Sequence, residues 1–127
     1  MGGLRVLVVE DSHLMAAVLE DLLKAAGAAE VAVAGSVSAA LQVLRRASVD
    51  LACLDIDLGG ETSFPVADEL ARQGIPFVFV SGRPRDKLPH LHRDRPFVSK
   101  LGGDADLIAV CLQAAGPGRS PGLVGAT

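Results

Sequence analysis

Leu51-Ala52-Cys53-Leu54-Asp55-Ile56-Asp57-Leu58-Gly59-Gly60 is the stretch whose reading decides the fold. Four apolar residues run without alternation, stop on an acid, and give way to a glycine pair. An apolar run with no polar face belongs to a strand covered on both sides, as in a parallel sheet clad with helices. In such sheets the carboxyl ends of the strands form the rim where ligands bind. Taken alone, Asp55 only solvates a strand end; its meaning depends on what other strands bring to the same rim.

Upstream, Leu4-Arg5-Val6-Leu7-Val8-Val9 is a second apolar run and stops at Glu10-Asp11, and a shorter one lies at Glu30-Val31-Ala32-Val33-Ala34. Downstream, Pro76-Phe77-Val78-Phe79-Val80 ends at Ser81-Gly82, and Phe97-Val98-Ser99 ends on Lys100. Helical patterns separate these runs. Ser12 is an N-cap for a helix in which Leu14, Val18 and Leu22 recur every four residues beside Met15, Leu19 and Leu23, and Gly27 closes it. Ser36 caps a second helix with Val37, Leu41 and Leu44 on one face. Ser63-Phe64-Pro65 opens a third, with proline in the first turn, Val66 and Leu70 on its apolar side and Gly74 at its end. Between Arg83 and Arg95, Pro84 and Pro89 leave room only for a short helix, and His90 and His92 are expected to be solvated. Gly102-Gly103-Asp104 opens a last helix bearing Leu107, Ile108, Cys111 and Leu112. Strands that alternate with helices five times predict an α/β fold: a doubly wound, five-stranded parallel sheet with helices on both faces. The domain is expected over residues 1–115, with 116–127 a flexible Gly/Pro/Ser-rich tail.

The composition narrows the function. A chain of 127 residues, half of them apolar, suits one domain with a real core. Twelve basic against 15 acidic residues leave a net charge of −3, so there is no basic field for nucleic acid or an anionic membrane. Tyrosine and tryptophan are absent and only Phe64, Phe77, Phe79 and Phe97 are aromatic, which argues against a base-stacking platform. No apolar run reaches the roughly 20 residues that span a bilayer, and Leu4–Val9 is too short for a signal peptide. Cys53 and Cys111 lack metal-ligand spacing and read as two buried thiols in a reducing, cytoplasmic setting.

Four strand ends carry a chemically capable residue: Glu10 and Asp11 after the first, Asp55 after the third, Ser81 after the fourth, Lys100 after the fifth. Neighbouring carboxylates repel, which favours a divalent cation or a raised pKa, and oxygen-only ligands point to Mg²⁺. An Asp beside such an ion can be a nucleophile toward phosphorus. Lys100 would then supply a cation for phosphate, Ser81 a hydroxyl, and the backbone carbonyl of Asp57 a further metal ligand.

From residue 4 to about residue 115 the sequence resembles the receiver domains of two-component response regulators. Glu10-Asp11 match that family's acidic metal-binding pair, and Asp55 follows them at the spacing of its phosphoacceptor. Ser81 matches the switch Ser/Thr, Phe97 the switch aromatic, and Lys100 the lysine. Ser63-Phe64-Pro65-Val66-Ala67-Asp68 and Phe79-Val80-Ser81-Gly82 resemble the stand-alone receivers of alphaproteobacteria, which carry a Phe-Ala-Thr-Gly type signature. The resemblance implies strand order 2-1-3-4-5 and Mg²⁺ on Glu10, Asp11, Asp55 and the Asp57 carbonyl. It further implies a histidine kinase or phosphotransfer protein as donor to Asp55. Ser81 and Phe97 would shift together on phosphorylation and alter the face made by the fourth helix, fifth strand and fifth helix. The implied output of such a single-domain protein is a downstream protein partner, a phosphate sink, or a change from monomer to phosphorylation-dependent dimer.

The sequence departs from the family at three points, one of them the fourth helix, which Pro84 and Pro89 leave poorly specified. Leu101 follows the lysine where the family has proline, often cis; a cis bond before a non-proline residue costs roughly 2.5–4 kcal/mol, so a trans bond is expected. Gly59 stands where the family commonly has proline. Two rivals remain open. Asp55-Ile56-Asp57 also fits a haloacid-dehalogenase-type phosphatase with Asp55 as nucleophile and Asp57 as acid/base, although Glu10-Asp11 would then have no role. A receiver-like binding module that no longer uses phosphate is the other. His13 reads as a first-turn surface residue. Asp57 and Arg83 could bridge the mouth of the site, a contact between exposed charges worth under about 1 kcal/mol.

Overall fold

Side chains along the central strands alternate between two separate apolar clusters, and this alternation is what fixes the layers. Leu7 and Val9, Ala52 and Leu54, and Phe77 and Phe79 point into one cluster, while Val6 and Val8, Leu51 and Cys53, and Val78 and Val80 point into the other. A strand that buries both faces needs cover on both. In the computed structural model, which describes residues 3–82, 88–99 and 104–116, helices supply that cover.

The elements run β1 (Arg5–Val9), α1 (His13–Ala25), β2 (Glu30–Ala34), α2 (Val37–Arg46), β3 (Leu51–Leu54), α3 (Phe64–Gln73), β4 (Phe77–Ser81), a 3-10 turn (His90–His92), β5 (Phe97–Ser99) and α4 (Asp104–Ala115). All strand pairs are parallel and the sheet order is β2-β1-β3-β4-β5. This is the expected doubly wound sheet. α2 and α3 cover one face through Ala40, Leu44, Val66, Ala67 and Leu70. α1 and α4 cover the other through Leu19, Leu23, Leu107, Cys111 and Ala115. Among the described residues no helix is long and apolar enough to cross a membrane.

The helix ends follow their sequence signals. Ser12 Oγ accepts from Met15 N at 3.2 Å and Ser36 Oγ from Ala39 N at 3.1 Å, each satisfying an amide of a first turn. Ser63 precedes α3 but its buried hydroxyl makes no cap bond; the proline in the first turn starts that helix instead. Gly74 ends α3 in the left-handed conformation.

Two expectations need correction. The Leu14–Val18 stripe of α1 does not face the core: these side chains are 78% and 43% exposed, and Ala16, Leu19 and Leu23 are buried instead. At about 100° per residue, Leu19 lies about 140° around the helix from Leu14, so an apolar surface that spread over most of the helix buried only its inner half. His92, expected to be solvated, is 1% exposed. Its Nε2 lies 2.8 Å from Asp68 Oδ1 of α3, and its ring stands edge-on to Phe77 and Phe79 at 5.8 and 6.1 Å. The segment from Leu88 folds back over β4, so Leu88 and His92 cover sheet surface that a longer helix would otherwise have to cover. Arg95 completes the cluster, with its guanidinium 4.6 Å above the Phe77 ring. The short helix expected in this segment is the 3-10 turn His90–His92; residues 83–87 lie outside the described structure, as do 117–127 of the expected tail.

The orientation of α1 is directly testable. Leu19→Ala should destabilise the domain by about 2–5 kcal/mol, whereas Leu14→Ala should change stability by no more than about 0.5 kcal/mol. Urea unfolding followed by circular dichroism separates the two.

Candidate functional site

The parallel ladder continues one residue past the strands and sets two acids side by side. Glu10 N donates to Ala34 O of β2 at 3.0 Å, and Asp55 N donates to Val9 O of β1 at 2.9 Å. Asp11 follows at once. Carboxylate oxygens of Glu10, Asp11 and Asp55 all lie within 4.8 Å of one another. Glu10 is buried, Asp55 half-buried and Asp11 exposed, so the cluster opens from the core toward solvent.

Backbone amides hold two of these carboxylates in place. Glu10 Oε2 accepts from Ser12 N at 3.1 Å, and Asp55 Oδ1 accepts from Ile56 N at 2.8 Å. Such charge-assisted bonds fix orientation without neutralising the group. Three anions this close repel, and a divalent cation among them is the direct relief. The donor set is oxygen only and open on one side, which fits Mg²⁺ with retained water and does not suit the nitrogen and sulfur preferences of zinc or copper.

After Asp55 the chain makes a short hairpin. Asp57 bridges Thr62 in antiparallel fashion, Leu58 N donates to Glu61 O at 2.7 Å, and Ser63 N donates to Ile56 O at 2.9 Å. Gly59 and Gly60 form its tip with φ of 60° and 101°. The first value explains the missing proline: a pyrrolidine ring fixes φ near −65° and cannot occupy this turn. The tip also lies against the acids, since a Cβ on Gly59 would sit 3.1 Å from Asp11 Oδ2. Asp57, half-buried, stands at the base of the hairpin.

Ser81 ends β4 on the same edge of the sheet, buried and in register with Ser99 of β5. Phe97 is half-buried in register with Phe79 and packs on the α2–α3 side. Lys100, Leu101 and Arg83 lie outside the described residues, and with them the lysine, the trans bond before Leu101 and the Asp57–Arg83 bridge. The structure thus brings Glu10, Asp11 and Asp55 into one cluster, with Ser81 and Phe97 on neighbouring strands of that rim. His13 is the exposed first residue of α1, as expected. Two residues with evident roles escaped sequence reasoning, Glu61 and His92. Only the four-residue spacing of Leu88 and His92 hinted at the second.

The cysteines stand apart from this chemistry. Cys53 and Cys111 are buried free thiols with sulfurs 3.7 Å apart. The hydrogen bond with Cys111 and burial push the Cys53 thiol well above its usual range, so it stays protonated and serves packing between β3 and α4.

The family whose description is Response regulator receiver domain matches residues 6–91. The chain belongs to this family. As a receiver domain it is similar to SdrG from Sphingomonas melonis Fr1, whose solution structure is 38% identical, covers 89% of this chain and 96% of that one, and superposes with a TM-score of 0.77. It is also similar to the BeF3-activated conformation of SdrG from Pseudomonas melonis Fr1, at 39% identity over 87% of this chain and 98% of that one, with a TM-score of 0.71. The response regulator TrrA of Thermotoga maritima, solved in complex with Mg²⁺-BeF, shares the fold at 22% identity, 86% and 95% coverage and a TM-score of 0.74. No curated protein matches the chain.

If repulsion within the acidic cluster is what a cation relieves, Asp11→Asn has opposite effects with and without metal. In EDTA the variant should be more stable than the unmodified receiver by about 0.2–1 kcal/mol, the scale of an exposed charge pair. With Mg²⁺ at tenfold its dissociation constant the unmodified receiver should gain about 1.4 kcal/mol, and the variant much less. Thermal unfolding in the two buffers checks both signs.

Proposed function

We propose that this receiver domain accepts a phosphoryl group on Asp55 from a histidine kinase or histidine phosphotransfer protein and carries it as a signal. The observation that carries this reading is the convergence of Glu10, Asp11 and Asp55 oxygens within 4.8 Å at the ends of β1 and β3. An Asp55 carboxylate oxygen attacks the phosphorus of a phosphohistidine, the P–N bond breaks, and the imidazole leaves with a proton. Asp55 suits the nucleophile because it is half-buried: reachable by a donor, yet held in orientation by the Ile56 amide. Glu10, Asp11, Asp55 and the Asp57 carbonyl would hold Mg²⁺, which when bound would supply charge neutralisation for the phosphoryl oxygens. Lys100 pairs with the attached phosphate and the Ser81 hydroxyl donates to one of its oxygens.

The response is a population shift on the far side of the sheet. Phosphate biases two states only through contacts that differ between them. Ser81 lies in β4, two residues beyond Phe79, and Phe79 is in register with Phe97 and in ring contact with Phe77, Phe64 and His92. A movement of Ser81 toward phosphate therefore acts on a packed aromatic cluster beneath the 3-10 turn and beside Phe97 of β5, at the edge of the face that serves as output to a protein partner.

Incubation with a small phosphodonor such as phosphoramidate and Mg²⁺, followed by intact mass, tests the acceptor. The expected result is one phosphoryl adduct on the unmodified chain and none on Asp55→Ala. An equal adduct on Asp55→Ala, or steady release of phosphate from many phosphoesters with no adduct, would overturn the proposal.

A further inference from the structure

Three adjacent strand ends face the acidic rim, those of β2, β1 and β3 in that order across the sheet. The hairpin that leaves β3 reaches both of the others. At its tip, Gly59 lies over Asp11, which follows β1. Just past the tip, Glu61 reaches α2, which follows β2: Glu61 Oε2 accepts from Val37 N at 3.1 Å.

This contact has a definite physical basis. Val37 is the first residue of α2, and its amide is one of the donors that a helix N-terminus leaves without an internal partner. Ser36 Oγ already serves Ala39 N, so Glu61 satisfies a different donor and does not duplicate the cap. A carboxylate at this end also interacts favourably with the helix dipole. Meanwhile the backbone carbonyl of Glu61 accepts from Leu58 N and closes the hairpin. One residue thus closes the loop with its main chain and fastens it to a neighbouring element with its side chain.

We infer that Glu61 is a positioning residue for the metal site, a tether that holds the Asp57–Thr62 hairpin across the acidic rim. The inference rests on the reading of Glu10, Asp11 and Asp55 as Mg²⁺ ligands. A Gly-Gly tip has wide conformational freedom, so an untethered hairpin would sample many positions. Mg²⁺ demands near-ideal octahedral geometry and tolerates little of this. The tether limits that freedom before the ion arrives, keeping the Gly59 backbone against Asp11, and Asp57 in place at the base of the hairpin.

Two variants of the full chain separate the tether from the charge. Glu61→Ala removes the acceptor; Glu61→Gln removes the charge but keeps a side-chain oxygen that can accept from the Val37 amide. Mg²⁺ titration followed by amide chemical shifts gives the affinity, and thermal unfolding in EDTA verifies that each variant is folded. Glu61→Ala should bind Mg²⁺ roughly three- to tenfold more weakly, the range that loss of one hydrogen bond gives. Glu61→Gln should keep the unmodified affinity. Unchanged binding by Glu61→Ala would overturn the inference, and so would an equal loss in Glu61→Gln, which would assign the effect to charge. If the unmodified chain shows no Mg²⁺ response, the metal reading itself falls, an outcome distinct from failure of the tether alone.

Discussion

Mutual repulsion among Glu10, Asp11 and Asp55 is the constraint on which the site depends. Their oxygens lie within 4.8 Å of one another, and the parallel register holds them there. Val9 pairs with Leu54, so the residues that follow each strand emerge together. The backbone amides of Ser12 and Ile56 orient two of the carboxylates. A cation or a phosphoryl–metal pair bound among these oxygens would offset that repulsion.

The rest of the architecture keeps that cluster both fixed and accessible. Two apolar layers pack against β1, β3 and β4 from both sides and hold the strand ends in register. The Asp57–Thr62 hairpin then crosses the rim from β3 over Asp11 to α2. On the other flank, Ser81 and Phe97 connect the rim to the aromatic cluster of Phe64, Phe77, Phe79 and His92. The acid side of the site is built on short hydrogen-bonded turns, and the Ser81–Phe97 side on packed rings.

Much of this was legible in the sequence, for a physical reason. Runs such as Val6–Val9, Leu51–Leu54 and Phe77–Val80 bury both faces, and an unalternating apolar run has few other uses. The acids at their ends marked the rim, and Ser12, Ser36 and Gly74 marked helix ends by their own local chemistry. What was not legible depended on contacts between distant parts of the chain. Leu14 and Val18 satisfied the helical period, but the angle at which α1 meets the sheet decides which side of a broad apolar surface is buried. His92 sat among prolines and charges, and only the return of that segment over Phe77 and Phe79 makes it a core residue. The substitution of glycine for proline at position 59 was visible, but its cause, a positive φ, lies in the backbone. Glu61 was one acid among many, since its partner amide is 24 residues away.

The central claim is that Asp55 receives a phosphoryl group at a Mg²⁺ site and that the aromatic side of the sheet responds. Beryllofluoride mimics a carboxylate-bound phosphoryl group, and SdrG, 39% identical to this chain, has a BeF3-activated conformation. The most direct measurement is the amide spectrum of the full chain with Mg²⁺ alone and then with added beryllofluoride. Saturable shifts should appear first around Asp55 and the 57–62 hairpin, extend through Ser81 to Phe97 and His92, and vanish in Asp55→Asn. A spectrum that does not change on adding beryllofluoride, or the same shifts in Asp55→Asn, would contradict the account.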